Sequence, residues 1–144
     1  MDMSIQYFDP HVENEAYKKR SKLEDIFASS DVVLLSLVLD SSTANLISRH
    51  VLMQSKSGLL VVNTSRGEVI EENAVYEFIK NKKLGGYAAD VLVGEVDGTW
   101  RDSPILKLVR DKENVIVTPH IAGLTYDSES KAQNIALSLA LNSI

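Results

Sequence analysis

The sequence of 144 residues contains no cysteine. Disulfides and thiolate-bound metals are excluded, and the absence suits a reducing, cytoplasmic setting. No stretch approaches the ~18 consecutive apolar residues of a membrane-spanning helix. The opening MDMSIQYFDP lacks the basic start and long apolar run of a secretory leader. A cytoplasmic chain with no membrane partner is therefore expected. Positive charge is also short: 15 Lys and Arg stand against 20 Asp and Glu, for a formal net charge of −5. The basic residues are scattered, so no nucleic-acid partner is expected, and the one basic cluster, YKKRSK (17–22), reads as a solvated loop. Glycine is sparse. The seven glycines, at 58, 67, 85, 86, 94, 98 and 123, nowhere take the spacing G-x-G-x-x-G. The chain thus has no glycine-rich turn of the kind that holds a pyrophosphate at a helix N-terminus.

What the chain does have is alternation. With 44% apolar residues it can bury one core. SIQYF (4–8) reads as a short strand. Ser21 and Glu24 have the spacing of a capping box ahead of a short helix. DVVLLSLVL (31–39) is almost wholly apolar, as expected of a strand covered on both faces. Residues 44–57 read as a helix closed by Gly58, and LLVVN (59–63) as a buried strand. From Val69 to about Lys82 the apolar residues Ala74, Val75, Phe78 and Ile79 share one helical face, and Gly85–Gly86 close that helix. YAADVLV (87–93) and NVIVT (114–118) read as strands. Between them Pro104 takes the first position of a helix after Ser103. A last helix runs from about Tyr126. Strands alternating with helices at this spacing predict right-handed crossovers and an α/β fold with a doubly wound parallel sheet.

In such sheets ligands bind beyond the C-terminal strand ends. Asp9, the loop reaching Thr43, Arg66, Glu95 and His120 each follow a predicted strand. A histidine there can exchange a proton near neutral pH, a carboxylate such as Glu95 would fix its tautomer, and the Arg66 fork suits a carboxylate with an adjacent carbonyl. Together the three suit reversible reduction of a 2-keto acid. An acid after an early strand accepts ribose hydroxyls and repels a 2′-phosphate, so Asp9 favours NAD over NADP. Each residue also has a plainer reading: His120 as a strand-end packing residue, Arg66 as a surface ion pair, Asp9-Pro10 as a turn, Glu95 as a loop acid, and Asp90 as a satisfied half-buried carboxylate.

VVNTSRGEVIEENAVYEFIKNKKLGGYAADVLVGE, followed by SPILKLVRDKENVIVTPHIAGLT, resembles the D-isomer-specific 2-hydroxyacid dehydrogenases, which read N-x-x-R-G, then D-V-x-x-x-E-P, then T-P-H-[IL]-[AG]-G. The resemblance spans essentially the whole chain. It implies a Rossmann-like NAD-binding domain and hydride transfer between NAD(H) and a 2-keto or D-2-hydroxy acid. It implies catalytic roles for Arg66, Glu95 and His120, and cofactor contacts at Asp9, Leu37, Val38, Thr43, Thr64, Ser65, Asp90 and Gly123. Two positions depart from the pattern: Ser36-Leu37-Val38-Leu39 stands where the family has H-x-P-L, and Val96 where it has the proline after the catalytic acid.

By the same resemblance the chain begins one strand late, without the first strand and its glycine-rich turn. Residues 1–125 are then a partial NAD-binding domain, and 126–144 a helix leading back toward a substrate domain. In the order 3-2-1-4-5-6 the first strand is central, so its absence leaves unpaired edges. Strand 4–8 can close onto 31–39, a second copy can cover the edge, or another polypeptide can supply the strand; self-association into a homo-oligomer is the favoured expectation. Three functional readings remain open: an NAD-dependent dehydrogenase; a truncated, inactive nucleotide-domain fragment that folds and self-associates; and, behind these, an NAD-sensing or interaction module.

Overall fold

A computed structural model describes residues 3–141. Its strands are β1 (Gln6–Tyr7), β2 (Lys18–Lys19), β3 (Val32–Leu35), β4 (Leu59–Asn63), β5 (Leu84–Ala89) and β6 (Val115–Val117). Its helices are α1 (Leu23–Ser29), α2 (Arg49–Met53), α3 (Glu72–Lys80), α4 (Pro104–Arg110) and α5 (Tyr126–Leu141). Strands β3-β4-β5-β6 form one parallel sheet in chain order, each joined to the next by a segment that carries a helix.

The register explains the core. Val33, Val61, Tyr87 and Val115 are paired across the sheet, as are Leu35, Asn63, Ala89 and Val117. These residues point to one face. There Val33, Leu35, Val61, Tyr87 and Ala89 join Phe27 of α1, Leu52 of α2, Val75 and Phe78 of α3, and Ile105 and Leu108 of α4 in one cluster. The alternate residues point the other way, and this face is open: Val32 is 54% exposed, Leu34 62%, Leu60 40% and Ile116 64%. The apolar run at 31–39 therefore belongs to a strand covered on one side, not two.

Several elements differ from the sequence reading, each for a tertiary reason. The helices expected at 44–57 and 69–82 both start late, because Ile47 and Ile70, fully buried, form a parallel bridge. The Ile47 amide donates to the Val69 carbonyl at 2.9 Å and the Glu71 amide to the Ile47 carbonyl at 3.0 Å. Gly85 and Gly86 do not end α3, which stops at Lys80 with Asn81 as its C-cap and the chain turning at the left-handed Lys82; they lie inside β5, where a Cβ on Gly86 would come within 2.5 Å of the Asn114 side chain. β3 stops at Leu35, and Leu37 and Leu39 turn back onto the core. Ser21 does not cap α1, whose N-cap position is Lys22 without a side-chain bond. Ser103 does cap α4, accepting from the Ile105 amide, with Pro104 in the first turn.

The basic cluster is partly strand: Lys18 and Lys19 pair with Gln6 and Tyr7 in a separate two-stranded parallel sheet. Strand β1 does not close onto β3; among the described residues β1 pairs only with β2, and β3 only with β4. The two sheets are tied through side chains: the Gln6 amide donates to the Ser29 and Ser30 hydroxyls, both at 2.9 Å, at the end of α1. Helix α5 has no buried residue; the expected continuation to Ile144 lies outside the described residues. No described helix is long and apolar enough to cross a membrane.

If only one face of the sheet supports the fold, Phe27→Ala should lower unfolding free energy by about 3–5 kcal/mol, while Leu34→Ser should stay within about 0.5 kcal/mol. Urea titration measures both.

Candidate active site

The four strands of the main sheet end together: Leu35, Asn63, Ala89 and Val117 form the last paired row. Whatever follows them emerges on one rim. Thr64-Ser65-Arg66 follows β4, Asp90 follows β5, and Thr118-Pro119-His120 follows β6.

The Arg66 turn is built by Asn63, a fully buried amide at the end of an otherwise apolar strand. Its Oδ1 accepts the Ser65 amide at 3.0 Å and the Ser65 hydroxyl at 2.8 Å, and its Nδ2 donates to the Arg66 carbonyl at 2.8 Å. Arg66 itself is exposed, and its Nη1 donates to the Ser65 carbonyl at 2.6 Å rather than to Glu95 or His120. Gly67 locks this turn against the next loop, since a Cβ there would sit 2.1 Å from the Leu92 carbonyl carbon.

His120 has φ +55°, a left-handed conformation that non-glycine residues seldom adopt and that concentrates at functional sites. Two contacts hold it. Its amide donates to the Thr118 carbonyl at 3.0 Å, closing a tight turn around Pro119. Asp90 grips the flanks: one carboxylate oxygen accepts the Thr118 hydroxyl and the Ile121 amide at 3.0 Å, the other the Ala122 amide at 2.8 Å. Burial opposes ionisation of Asp90, but these three donors and the nearby His120 outweigh it and hold the carboxyl below its ordinary value.

The result is a direct pair: His120 Nδ1 lies 2.6 Å from Glu95 Oε2. The other Glu95 oxygen accepts the Leu92 amide at 2.8 Å. With Glu95 ionised, the imidazole donates from Nδ1 and leaves Nε2 for a reacting group. Both side chains are partly open to solvent, 49% for His120 and 31% for Glu95. The structure thus joins His120 to Glu95, and it places Arg66 on the same rim, with its turn packed on the Glu95 loop but without a bond to the pair.

The remaining predicted residues fall as follows. Asp9 follows β1 in a turn, its Oδ1 accepting the His11 amide at 2.7 Å and the Val12 amide at 3.0 Å; these amides, His11 first, pull its carboxyl below the ordinary value. Thr43 closes the loop after β3, donating to the Val38 carbonyl at 2.7 Å and accepting the Asp40 amide at 2.8 Å. Leu37 packs on the core while Val38 is 80% exposed. Thr64 is exposed and Ser65 buried. A Cβ on Gly123 would meet nothing within 4 Å. Sequence reasoning missed Asn63, Thr118, Glu68 and Glu72. Asn63 had a signal, an amide closing an apolar strand; the others become visible only when distant loops meet. No group of three metal-ligating side chains occurs among the described residues.

A parallel sheet whose C-terminal rim gathers a His–Glu pair and an arginine turn has its polar groups where open α/β sheets bind ligands. The family model for "D-isomer specific 2-hydroxyacid dehydrogenase, NAD binding domain" matches residues 1–122. The chain is 34% identical over 133 residues to D-3-phosphoglycerate dehydrogenase of Archaeoglobus fulgidus, covering 90% of this chain and 24% of the relative. It is 32% identical over 130 residues to hydroxypyruvate reductase of Thermotoga maritima, covering 90% of this chain and 41% of the relative. D-lactate dehydrogenase from Aquifex aeolicus, solved with NAD and lactic acid, superposes with a TM-score of 0.80 at 25% identity, over 96% of this chain and 45% of that one. The chain belongs to the D-isomer specific 2-hydroxyacid dehydrogenases and corresponds to their NAD-binding domain. It spans less than half the length of these relatives.

Two buried acids of the site should respond to pH with opposite sign. The Asp90 carboxyl is lowered from 3.8, so its stabilisation is complete above that value and is lost as pH falls through the folded-state value. The stability gap between the parent chain and Asp90→Asn should shrink on acidification. The Glu72 carboxyl is raised from 4.5, chiefly by burial, so its ionisation weakens the fold as pH rises through the folded-state value. Glu72→Gln should gain on the parent as pH rises to neutral. Chemical denaturation at several pH values measures both.

Proposed function

We propose that this rim is the nicotinamide end of the active site of an NAD-dependent oxidoreductase interconverting a 2-keto acid and its D-2-hydroxy acid. The observation that carries the proposal is the His120–Glu95 pair at a strand end beside the Arg66 turn. When bound, NAD supplies or takes up the hydride. The protein's part is the proton and the orientation. His120 gives a proton from Nε2 to the carbonyl oxygen as the alcohol forms and recovers it in reverse; Glu95 accepts from Nδ1 and stabilises the imidazolium. Arg66 spends one N–H on Ser65 and keeps the rest of its fork for the substrate carboxylate and carbonyl. These are groups all 2-keto acids share, so the reading reaches a substrate class and not one member.

The residues fit the cofactor at its two ends. Asp9 uses only Oδ1 for its turn, leaving Oδ2 for ribose hydroxyls and a charge that disfavours NADP. The Val38–Thr43 loop, Thr64, Ser65, Asp90 and Gly123 lie on the strand-end loops that would line the remainder. These 144 residues hold no G-x-G-x-x-G turn, and a unit without one lacks several charge-assisted bonds to a pyrophosphate, each worth about 1.5–3 kcal/mol. That favours a second reading for these residues alone: a nucleotide-domain unit of little activity, self-associating through the open sheet face and through edge strands such as β1 and β3, each with one partner among the described residues. On this reading α5 leads toward a substrate domain, and the lack of cysteine supports a cytoplasmic home.

Fluorescence titration with NADH, followed by its oxidation with glyoxylate, pyruvate or hydroxypyruvate, separates the readings. Turnover would reject the inactive-fragment reading. His120→Gln should then lower turnover at least about 100-fold with circular dichroism unchanged; undiminished turnover would mean another group moves the proton. Light scattering that finds only monomer at micromolar concentration would end the self-association reading.

A further inference from the structure

Three consecutive backbone amides of the loop carrying Glu95 are each received by a different carboxylate. The Leu92 amide donates to Glu95 Oε1 at 2.8 Å, the Val93 amide to Glu72 Oε1 at 2.9 Å, and the Gly94 amide to Glu68 Oε1 at 3.4 Å. Glu72 is the anchor among them. It is buried, at the start of α3, and its second oxygen accepts the Ser103 hydroxyl at 2.7 Å. That serine in turn caps α4 by accepting the Ile105 amide at 3.1 Å. One carboxylate therefore links α3, the cap of α4 and the backbone two residues ahead of Glu95.

The geometry points to Glu72 as a positioning residue for the proton-transfer pair: through the Val93 amide it sets the loop from which Glu95 reaches His120. This rests on the dehydrogenase reading of that pair. Glu72 touches neither His120 nor the Arg66 guanidinium, so its action is through the loop. The loop turns through the left-handed glycines Gly94 and Gly98; Gly67 packs on it at Leu92 and Glu68 holds the Gly94 amide, while Glu72 is the contact that ties it to the buried start of α3 and to the cap of α4. Burial pushes the Glu72 carboxyl up; the Ser103 and Val93 donors only partly counter it, and Glu68 and Glu95 add repulsion. A carboxyl kept where burial disfavours its charged form is the kind of local conflict that functional sites carry.

The readout is the tautomer of His120, from the imidazole ¹⁵N shifts of the neutral ring in the purified chain. His11 and His50, both exposed, serve as internal references. In the parent chain Glu95 should hold the proton on Nδ1. Glu72→Met keeps the bulk but removes both acceptors, and should return His120 toward the mixture shown by the reference histidines. Glu72→Gln keeps an acceptor for Val93 and should preserve the parent signature. Ser103→Ala breaks the α4 cap without touching Val93 and should preserve it too, despite lower stability. If Glu72→Met does not fold, Glu72→Asp, which withdraws the carboxylate by one methylene, carries the same test. An unchanged tautomer in the Met variant, or in the Asp variant where that one is used, makes Glu72 merely structural and overturns the inference, as does an equal loss in Ser103→Ala. A parent chain whose His120 already matches the references overturns the His–Glu pair itself, a different failure with its own signature.

Discussion

The rim depends on one constraint: four parallel strands stop at the same paired row, Leu35, Asn63, Ala89 and Val117. Parallel pairing sends every strand the same way, so the groups that follow are delivered to one edge however far apart they lie in the chain. His120 and Glu95, separated by 25 residues, meet at 2.6 Å for that reason. Were the sheet antiparallel, alternate strand ends would carry their polar residues to opposite edges.

Around that rim the labour is divided between side chains that face outward and side chains that hold backbone. Asn63 shapes the Arg66 turn, Asp90 the His120 turn and Glu72 the Glu95 loop; each is buried and each holds main chain of its turn or loop by hydrogen bond. Buried polar groups are tolerable only when fully satisfied, and no buried side-chain nitrogen or oxygen among the described residues lacks a partner. The outward groups, His120 and Arg66, stay exposed. The left-handed backbone at His120 is sustained by the Asp90 grip on both its sides.

The other face of the sheet has the opposite character. Val32, Leu34, Leu60 and Ile116 form an exposed apolar stripe among the described residues, while the buried apolar residues of α1 to α4 belong to the cluster on the far side. The relatives are more than twice as long as the matched stretch, so the matched unit is one part of a larger design in those proteins. In the chain itself, the strand-end rim is organised internally by hydrogen bonds, whereas the sheet has a single covered face.

Much was legible from residues alone. Short apolar runs, a Pro104 after Ser103, and polar residues following the runs determined the order of strands and helices, the parallel α/β class and the candidates Arg66, Glu95 and His120, because periodicity and capping are local properties. Boundaries were not local. The Ile47–Ile70 bridge shortened two helices, β5 absorbed Gly85 and Gly86, and Lys18–Lys19 became a strand, each decided by a partner far along the chain. Likewise a carboxylate in the sequence does not announce which amide it will receive. That Glu95 pairs with His120, that Asp90 braces the turn and that Glu72 reaches Val93 were decided by tertiary packing, because hydrogen bonds are set by distance and angle, which only the assembled sheet and its loops define.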